Sequence, residues 1–286
     1  MKYWIVSIAA LAILSTDLLL GLAPRSPLQL VAGQSSQSPT VAICAIVKDD
    51  PDILEWLQHY LESNATRVLL FDNGSRHWFK GIVLNSSYVH DGFVVYHRFP
   101  AEQSKDSPQI QAYNACLIEY RHAFDFMAFF DADEFVAIPS EKSLPELLAP
   151  YATFGALALN WRSYASNGFN KRPTGGLLKN YHQCFPESHS NNWHVKSIVN
   201  TRFVSHMQTP HSAVFMAPHY AVNTNFTRVD GPFSRPAVFD VAYLKHFQLK
   251  SRQDYARKLA RGQVDTSQKG WKYFDVVEKE ATEHCE

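Results

Sequence analysis

Two hydrophobic rhythms alternate along this chain. Val41-Ala-Ile-Cys-Ala-Ile-Val47 is an unbroken apolar, β-branched run, the pattern of a strand buried on both faces. Asp50 and Pro51 then predict an N-cap and a first helical residue, and Ile53, Leu57, Tyr60 and Leu61 recur at helical spacing up to a stop at Asn64. Residues 67–71 predict a second strand, running into the turn Asp72-Asn73-Gly74-Ser75, and residues 93–99 a third. Ser107-Pro108 opens a helix with Ile110, Tyr113, Leu117 and Tyr120 on one face. Residues 126–130 predict a fourth strand, ending at Asp131-Ala132-Asp133-Glu134; residues 143–151 follow as a helix and 155–161 as a fifth strand. Strands alternating with helices predict an α/β fold: a Rossmann-like mixed, mostly parallel sheet with helices on both faces. Beyond residue 161 the pattern loses regularity, and residues 251–261 form the clearest helix.

The N-terminus breaks this rhythm. Residues 1–23 are mostly apolar, long enough for an uncleaved signal anchor crossing a bilayer, with a cleaved signal peptide as the alternative, and residues 24–40, rich in Ser, Gln and Pro, predict a flexible stem. The expected organisation is anchor, stem and one domain over 41–286, with the domain outside the cytosol. Asn-x-Ser/Thr sequons at Asn64, Asn73, Asn85 and Asn225 are compatible with a secretory lumen. Cys44 lies in an apolar run and Cys116 on a helix face, so both are expected as small buried thiols. A Cys184–Cys285 bridge is open to an oxidising compartment.

Charge narrows the function. Lys+Arg and Asp+Glu both number 27, so the formal net charge is zero, which argues against a nucleic-acid partner held by a basic surface. In open α/β sheets, ligands bind beyond the carboxyl ends of the strands. Lys48-Asp49-Asp50, Asp72-Asn73 and Asp131-Ala132-Asp133 follow the first, second and fourth strands and should converge there. Residues i and i+2 of a strand share a face, so Asp131 and Asp133 can hold a hard divalent cation, Mn²⁺ or Mg²⁺, against a diphosphate leaving group.

These segments also carry a resemblance. Val47-Lys48-Asp49-Asp50, Phe71-Asp72-Asn73-Gly74-Ser75, Phe130-Asp131-Ala132-Asp133-Glu134-Phe135, Val195-Lys196-Ser197-Ile198-Val199 and Leu244-Lys245-His246-Phe247 with Lys250-Ser251 and Ala260-Arg261-Gly262 resemble, in order, the motifs of glycosyltransferase family 92 and its bacterial relatives, a group built on the GT-A fold. The resemblance implies inverting transfer of a sugar from a nucleotide donor, by precedent UDP-galactose, to a glycan or glycoconjugate, by enzymes that in eukaryotes sit in the Golgi membrane as single-pass type II proteins. It implies Lys48, Asp49, Asp72 and Asn73 near the nucleotide, and Asp131 and Asp133 on the metal. His246 is the first choice for a third ligand and His211 the second.

Trp161 and Trp193 are candidate sugar-stacking residues, Lys196 is a phosphate or acceptor-side cation, and His211 is placed on the same acceptor or phosphate side. Glu134, Glu187 and Asp230 are candidates for the general base; Glu134 alternatively orients the metal carboxylates. One departure stands out: Lys179 occupies a position where relatives often show an acid. It keeps open a catalytically inactive glycan-binding homologue, and a metal-dependent nucleotide-sugar hydrolase is the other alternative.

Overall fold

The computed structural model describes residues 38–100, 106–262 and 270–285. The anchor expected over 1–23, and residues 24–37 of the expected stem, lie outside the described residues. Among the described residues no helix is long and apolar enough to cross a membrane.

The first half follows the alternation closely. It runs β1 (Val41–Val47), α1 (Ile53–Glu62), β2 (Arg67–Asp72), α2 (His77–Leu84), α3 (Ser87–His90), β3 (Val94–Arg98), α4 (Pro108–Tyr120), β4 (Phe126–Phe129), β5 (Glu134–Ala137), α5 (Leu144–Leu148) and β6 (Ala156–Ser163). The second half holds short elements: α6 (Leu177–Asn180), β7 (Gln183–Cys184), β8 (Val195–Asn200), β9 (Val204–Met207), β10 (Ala213–Phe215), β11 (Ala221–Val222), β12 (Arg228–Val229), β13 (Tyr243–His246), α7 (Arg252–Arg261), α8 (Trp271–Glu280) and β14 (Glu283–His284).

The main sheet has the order β12-β11-β6-β8-β4-β1-β2-β3, with β13 bridging β6 and β5. β4, β1, β2 and β3 are mutually parallel, β8 runs antiparallel between β4 and β6, and β13 is parallel to β6. The result is a mixed α/β sheet, largely parallel, with an apolar core on each face. Alternate β1 residues divide between the cores, as strand geometry requires. Val41, Ile43 and Ala45 pack with Ile53, Trp56 and Tyr60 of α1, while Ala42 and Cys44 pack with Tyr113, Cys116 and Leu117 of α4.

That division corrects the expectation of free thiols at Cys44 and Cys116. The α4 face of β1 and the buried face of α4 bring their Cα atoms to 6.5 Å, within disulfide reach, and the two are bonded. Cys184 and Cys285 are bonded as well, tying β7 to the segment after β14. α1 starts at Ile53, two residues beyond Pro51. The Asp50 carboxylate accepts the Asp52 N–H at 2.9 Å, and Lys250 Nζ grips Asp50 at 3.2 Å and Asp52 at 2.6 Å, which holds the loop out of the helix. β6 runs to Ser163, past the expected end at residue 161, because β13 supplies partners for Trp161, Arg162 and Ser163.

Candidate active site

A cavity of about 290 Å³ opens beyond the carboxyl ends of β1, β2 and β4. Of the residues singled out from sequence, Lys48, Asn73, Asp131, Asp133, Trp161, His211 and His246 line it. Gln109, Lys258 and Arg261 line it too, although no role was expected of them. A second cavity, of about 420 Å³, shares Asp50, Asp133, Lys258 and Arg261 with the first and adds Asp49, Arg76 and Trp78.

Asp131 and Asp133 do not lie in a strand, which corrects the i, i+2 geometry expected of them. β4 ends at Phe129 and β5 begins at Glu134; between them is a turn closed by the Glu134 N–H on the Asp131 carbonyl at 3.0 Å. Both carboxylates still reach the cavity. Asp131 accepts hydrogen bonds from Gln109 and from the Tyr113 hydroxyl, and pairs with Lys196 Nζ at 3.0 Å. Asp133 pairs with Lys258 Nζ at 3.3 Å and lies 3.8 Å from His246 Nε2. Burial would raise the Asp133 carboxyl, but Lys258, His246 and Lys250 together outweigh it and hold it well below the usual carboxylate range.

Glu134 stands behind this turn with its side chain fully buried. One oxygen accepts the Asp131 N–H at 2.8 Å and lies 3.4 Å from Lys196 Nζ; the other has no hydrogen-bond partner among the described residues. Burial pushes the Glu134 carboxyl up against the pull of Lys196, and the charges of Asp131 and Asp133 add to the push. Lys196 is also fully buried. Burial alone would lower its ammonium, but Asp131 and Glu134 raise it and keep it charged. The Trp56 indole and the Tyr60 hydroxyl both donate to the Glu134 carbonyl, so α1 braces the turn from below.

His246 arrives from far along the chain by strand pairing. β13 runs antiparallel to β5 with His246 opposite Glu134, and the Phe247 N–H closes on the Asp133 carbonyl at 2.9 Å. Trp161 sits at the centre of an imidazole cluster: His194 stacks on it at 4.9 Å, His246 tilts over it at 4.1 Å, and His211 meets it edge-on at 5.1 Å. These rings cover much of its surface, so Trp161 positions imidazoles rather than offering a bare stacking face.

Other candidates fall elsewhere. Asp72 is buried beneath the turn that follows β2, accepting the Ser75 N–H at 2.8 Å and a hydrogen bond from the Tyr96 hydroxyl. Its neighbour Asn73 faces the cavity instead. Asp49 binds Arg76 at 2.9 Å and faces the second cavity. Trp193 lies under Arg235. Glu187 pairs with Arg162 and Asp230 with Arg228, both exposed and neither lining the cavities described. Lys179 is exposed at the end of α6 and lines neither cavity. The missed cations had a signal: residues 251–261 read as a helix, and Lys258 and Arg261, three apart on it, line the cavity together with Tyr255.

Among the described residues no three His, Cys, Asp or Glu side chains are already gathered as a metal cluster. The donor chemistry on this wall nevertheless fits a hard or borderline divalent cation: two carboxylates with an imidazole 3.8 Å from one of them.

The profile of glycosyltransferase family 92 matches residues 40–283. A family 92 protein of Oryza sativa subsp. japonica is 23% identical over 156 residues, covering 52% of this chain and 26% of that protein. One from Arabidopsis thaliana is 22% identical over 236 residues, covering 77% of this chain and 37% of that protein. The matched regions thus span well under half the length of these curated relatives. A solved Bacillus anthracis structure assigned as a glucose-1-phosphate thymidylyltransferase, in complex with a sucrose, overlays with a TM-score of 0.34 at 12% identity, covering 57% of this chain and 72% of that one; an overlay this loose carries no argument. With a family profile running across nearly the whole described domain, the chain belongs to glycosyltransferase family 92.

Proposed function

We propose that this chain is a metal-dependent glycosyltransferase of GT-A type that moves a sugar, galactose from UDP-galactose with inversion, onto a glycan or glycoconjugate. The observation that carries the reading is the convergence, at the carboxyl ends of β1, β2 and β4, of acidic side chains, imidazoles and cations in one cavity, among them Asp131, Asp133, His246, Lys48, Lys258 and Arg261. That combination suits a diphosphate and its counter-ion.

Asp131, Asp133 and His246 would hold Mn²⁺ or Mg²⁺, which when bound neutralises charge on the departing nucleoside diphosphate. Lys258 would exchange its hold on Asp133 for the phosphate oxygens, with Arg261 beside it. Lys48 and Asn73 border the nucleotide end. Glu134 and Lys196 fix the Asp131 backbone and carboxylate from behind, and so pre-organise the site. Trp161 keeps the imidazoles of His194, His211 and His246 in place. We place the protein in the secretory lumen, in the Golgi with residues 1–23 as a type II anchor. All four cysteines are paired, and disulfides persist in oxidising compartments.

Calorimetric titration of UDP-galactose, UDP-glucose and UDP-N-acetylglucosamine, with and without Mn²⁺, tests the reading. Manganese-dependent binding of one donor, abolished by Asp131→Ala with Asp133→Ala in a folded protein, is the expected result. Failure of every UDP-sugar to bind the folded, Mn²⁺-loaded chain overturns it and leaves a glycan-binding module. UDP release with no sugar appearing on any acceptor turns the assignment to a hydrolase.

A further inference from the structure

The four Asn-x-Ser/Thr triplets are alike in sequence, and the fold separates one of them from the other three. Asn73 is half-buried on the wall of the main cavity, and the hydroxyl residue of its triplet, Ser75, is buried. The Asn73 N–H closes on the Val47 carbonyl at 2.9 Å, which pins it between the ends of β1 and β2. A branched glycan on that amide would fill the space the ligands need.

The other three triplets face water. Asn64, Asn85 and Asn225 are exposed, and so are their hydroxyl residues Thr66, Ser87 and Thr227. Each asparagine sits in a turn at the end of an element. The Asn64 N–H donates to the Leu61 carbonyl of α1 at 3.0 Å, and the Asn85 N–H to the Gly81 carbonyl of α2 at 3.2 Å. The Asn225 N–H donates to Asn223 Oδ1 at 3.0 Å in the turn joining β11 to β12, the last strand at its edge of the sheet. None of the three lines either cavity described. Asn64 lies just ahead of β2, at the end of the sheet opposite the cavity, where Thr66 Oγ1 accepts the Val41 N–H at 2.9 Å as the chain enters β1. Surface turns of this kind carry a bulky, solubilising sugar without displacing packed side chains.

We propose, resting on the luminal placement above, that this chain is itself a glycoprotein, N-glycosylated at Asn64, Asn85 and Asn225 and unmodified at Asn73. In each modification the side-chain Nδ2 forms a bond to the anomeric carbon of an oligosaccharide carried on a polyprenyl diphosphate. The bond from that carbon to the phosphate oxygen breaks, its electron pair leaves on the diphosphate, and one amide proton is lost. The glycans then stand clear of the cavity and leave its mouth open to substrate.

The test uses the full chain expressed in eukaryotic cells. Partial digestion with an amidase that cuts glycans from asparagine should give three mobility steps. Complete digestion in heavy-oxygen water should leave labelled aspartate at positions 64, 85 and 225, while the peptide holding Asn73 stays unlabelled. Asn64→Gln, Asn85→Gln and Asn225→Gln should each remove one step. Label at Asn73, or its absence at any of the other three, overturns the assignment. Protease added to sealed microsomes reads the compartment separately. A domain that is protected yet carries no glycan overturns the sites and leaves the luminal placement standing. A domain digested from outside the vesicles removes that placement, and the sites with it.

Discussion

Two strand-end turns of the same sheet carry the same kind of sequence, an aspartate closely followed by further polar residues, and put it to opposite uses. At the end of β2, Asp72 turns inward: the Ser75 N–H and the Tyr96 hydroxyl take its oxygens, and burial followed by the Asp72 contact pushes the Tyr96 phenol up. At the end of β4 the inward carboxylate is Glu134, while Asp131 and Asp133 face the cavity. What separates them is the group waiting behind each turn. β2 has β3 beside it, with a tyrosine at the right register, Leu70 opposite Tyr96. β4 has β8 beside it, which supplies a lysine able to neutralise two acids at once. A carboxylate in such a turn becomes a ligand-facing group when a second carboxylate takes over the structural work.

The sharpest way to break this comparison is Lys196→Met. It leaves Glu134 and part of Asp131 buried without their cation, and removing one partner of a buried pair costs about 3–5 kcal/mol. We expect the urea midpoint to fall accordingly and transfer to be lost with it. Adding Glu134→Gln should restore part of the stability, because the orphaned charge is then gone. No recovery in the double variant would mean that Lys196 is held by packing rather than by the acids.

Asp72→Asn probes the other turn. The amide keeps an oxygen for the Ser75 N–H and turns its NH2 to the Tyr96 hydroxyl, which can accept, so what is lost is the charge assistance of both bonds, at a cost of about 1–3 kcal/mol. Stability should drop while UDP affinity stays close to wild type, because Asn73 and not Asp72 borders the cavity. A collapse of UDP affinity with unchanged stability would show Asp72 touching the nucleotide, and would make the two turns alike.

The contrast also explains what the sequence could disclose. β1 to β4 were legible because their hydrophobic periods are local, and a buried parallel strand looks the same wherever it falls. The convergence of Asn73, Asp131 and Asp133 followed from that regularity alone. The fate of Asp72 did not, because it depends on Tyr96, a residue of the neighbouring strand. His246 comes from β13, a four-residue strand placed by pairing with β5 and β6; His211 comes from the loop of the small β9–β10 hairpin, and Lys258 and Arg261 from α7, whose docking against the cavity no local pattern records. The Cys44–Cys116 bond was within reach: a period-2 reading of β1 and a period-3.6 reading of α4 place both residues on one shared interface.

A third site serves as a control for both turns. Gly176, ahead of α6, has φ +88°, and a Cβ there would come within 2.6 Å of the Glu55 carboxylate. That carboxylate accepts the Leu177 N–H at 2.7 Å and the Leu178 N–H at 3.0 Å. Gly176→Ala therefore combines backbone strain with displacement of an anion from a helix start, about 1–2 kcal/mol. Neither Gly176 nor Lys179 lines a cavity described here, so melting should move down while UDP affinity and turnover per folded molecule hold. A loss of turnover would bring the α6 segment into the acceptor site and restore weight to Lys179.

The smallest effect near neutral pH comes from His59, which braces the β4 side of the comparison alone. Its Nε2 donates to the Val136 carbonyl of β5 at 2.8 Å, and its ring meets Phe135 edge-on at 5.2 Å. Burial lowers its pKa from 6.5 to about 4, against the smaller upward pulls of the Val136 bond and Glu62. Between those values the unfolded chain binds the proton and the folded one does not, so this contribution to stability is complete above pH 6.5 and is lost as pH falls toward 4. The loss is about 1 kcal/mol at pH 6 and on the order of 3 kcal/mol below pH 4. His59→Gln keeps a donor for Val136 and cannot titrate, so subtracting its pH–stability curve from that of wild type should leave this step. Because His59 sits behind β5 and not behind β2, the step should persist undiminished in Asp72→Asn. A step that vanishes in that variant would mean the two turns unfold as one coupled unit, and the division of roles between them would have to be redrawn.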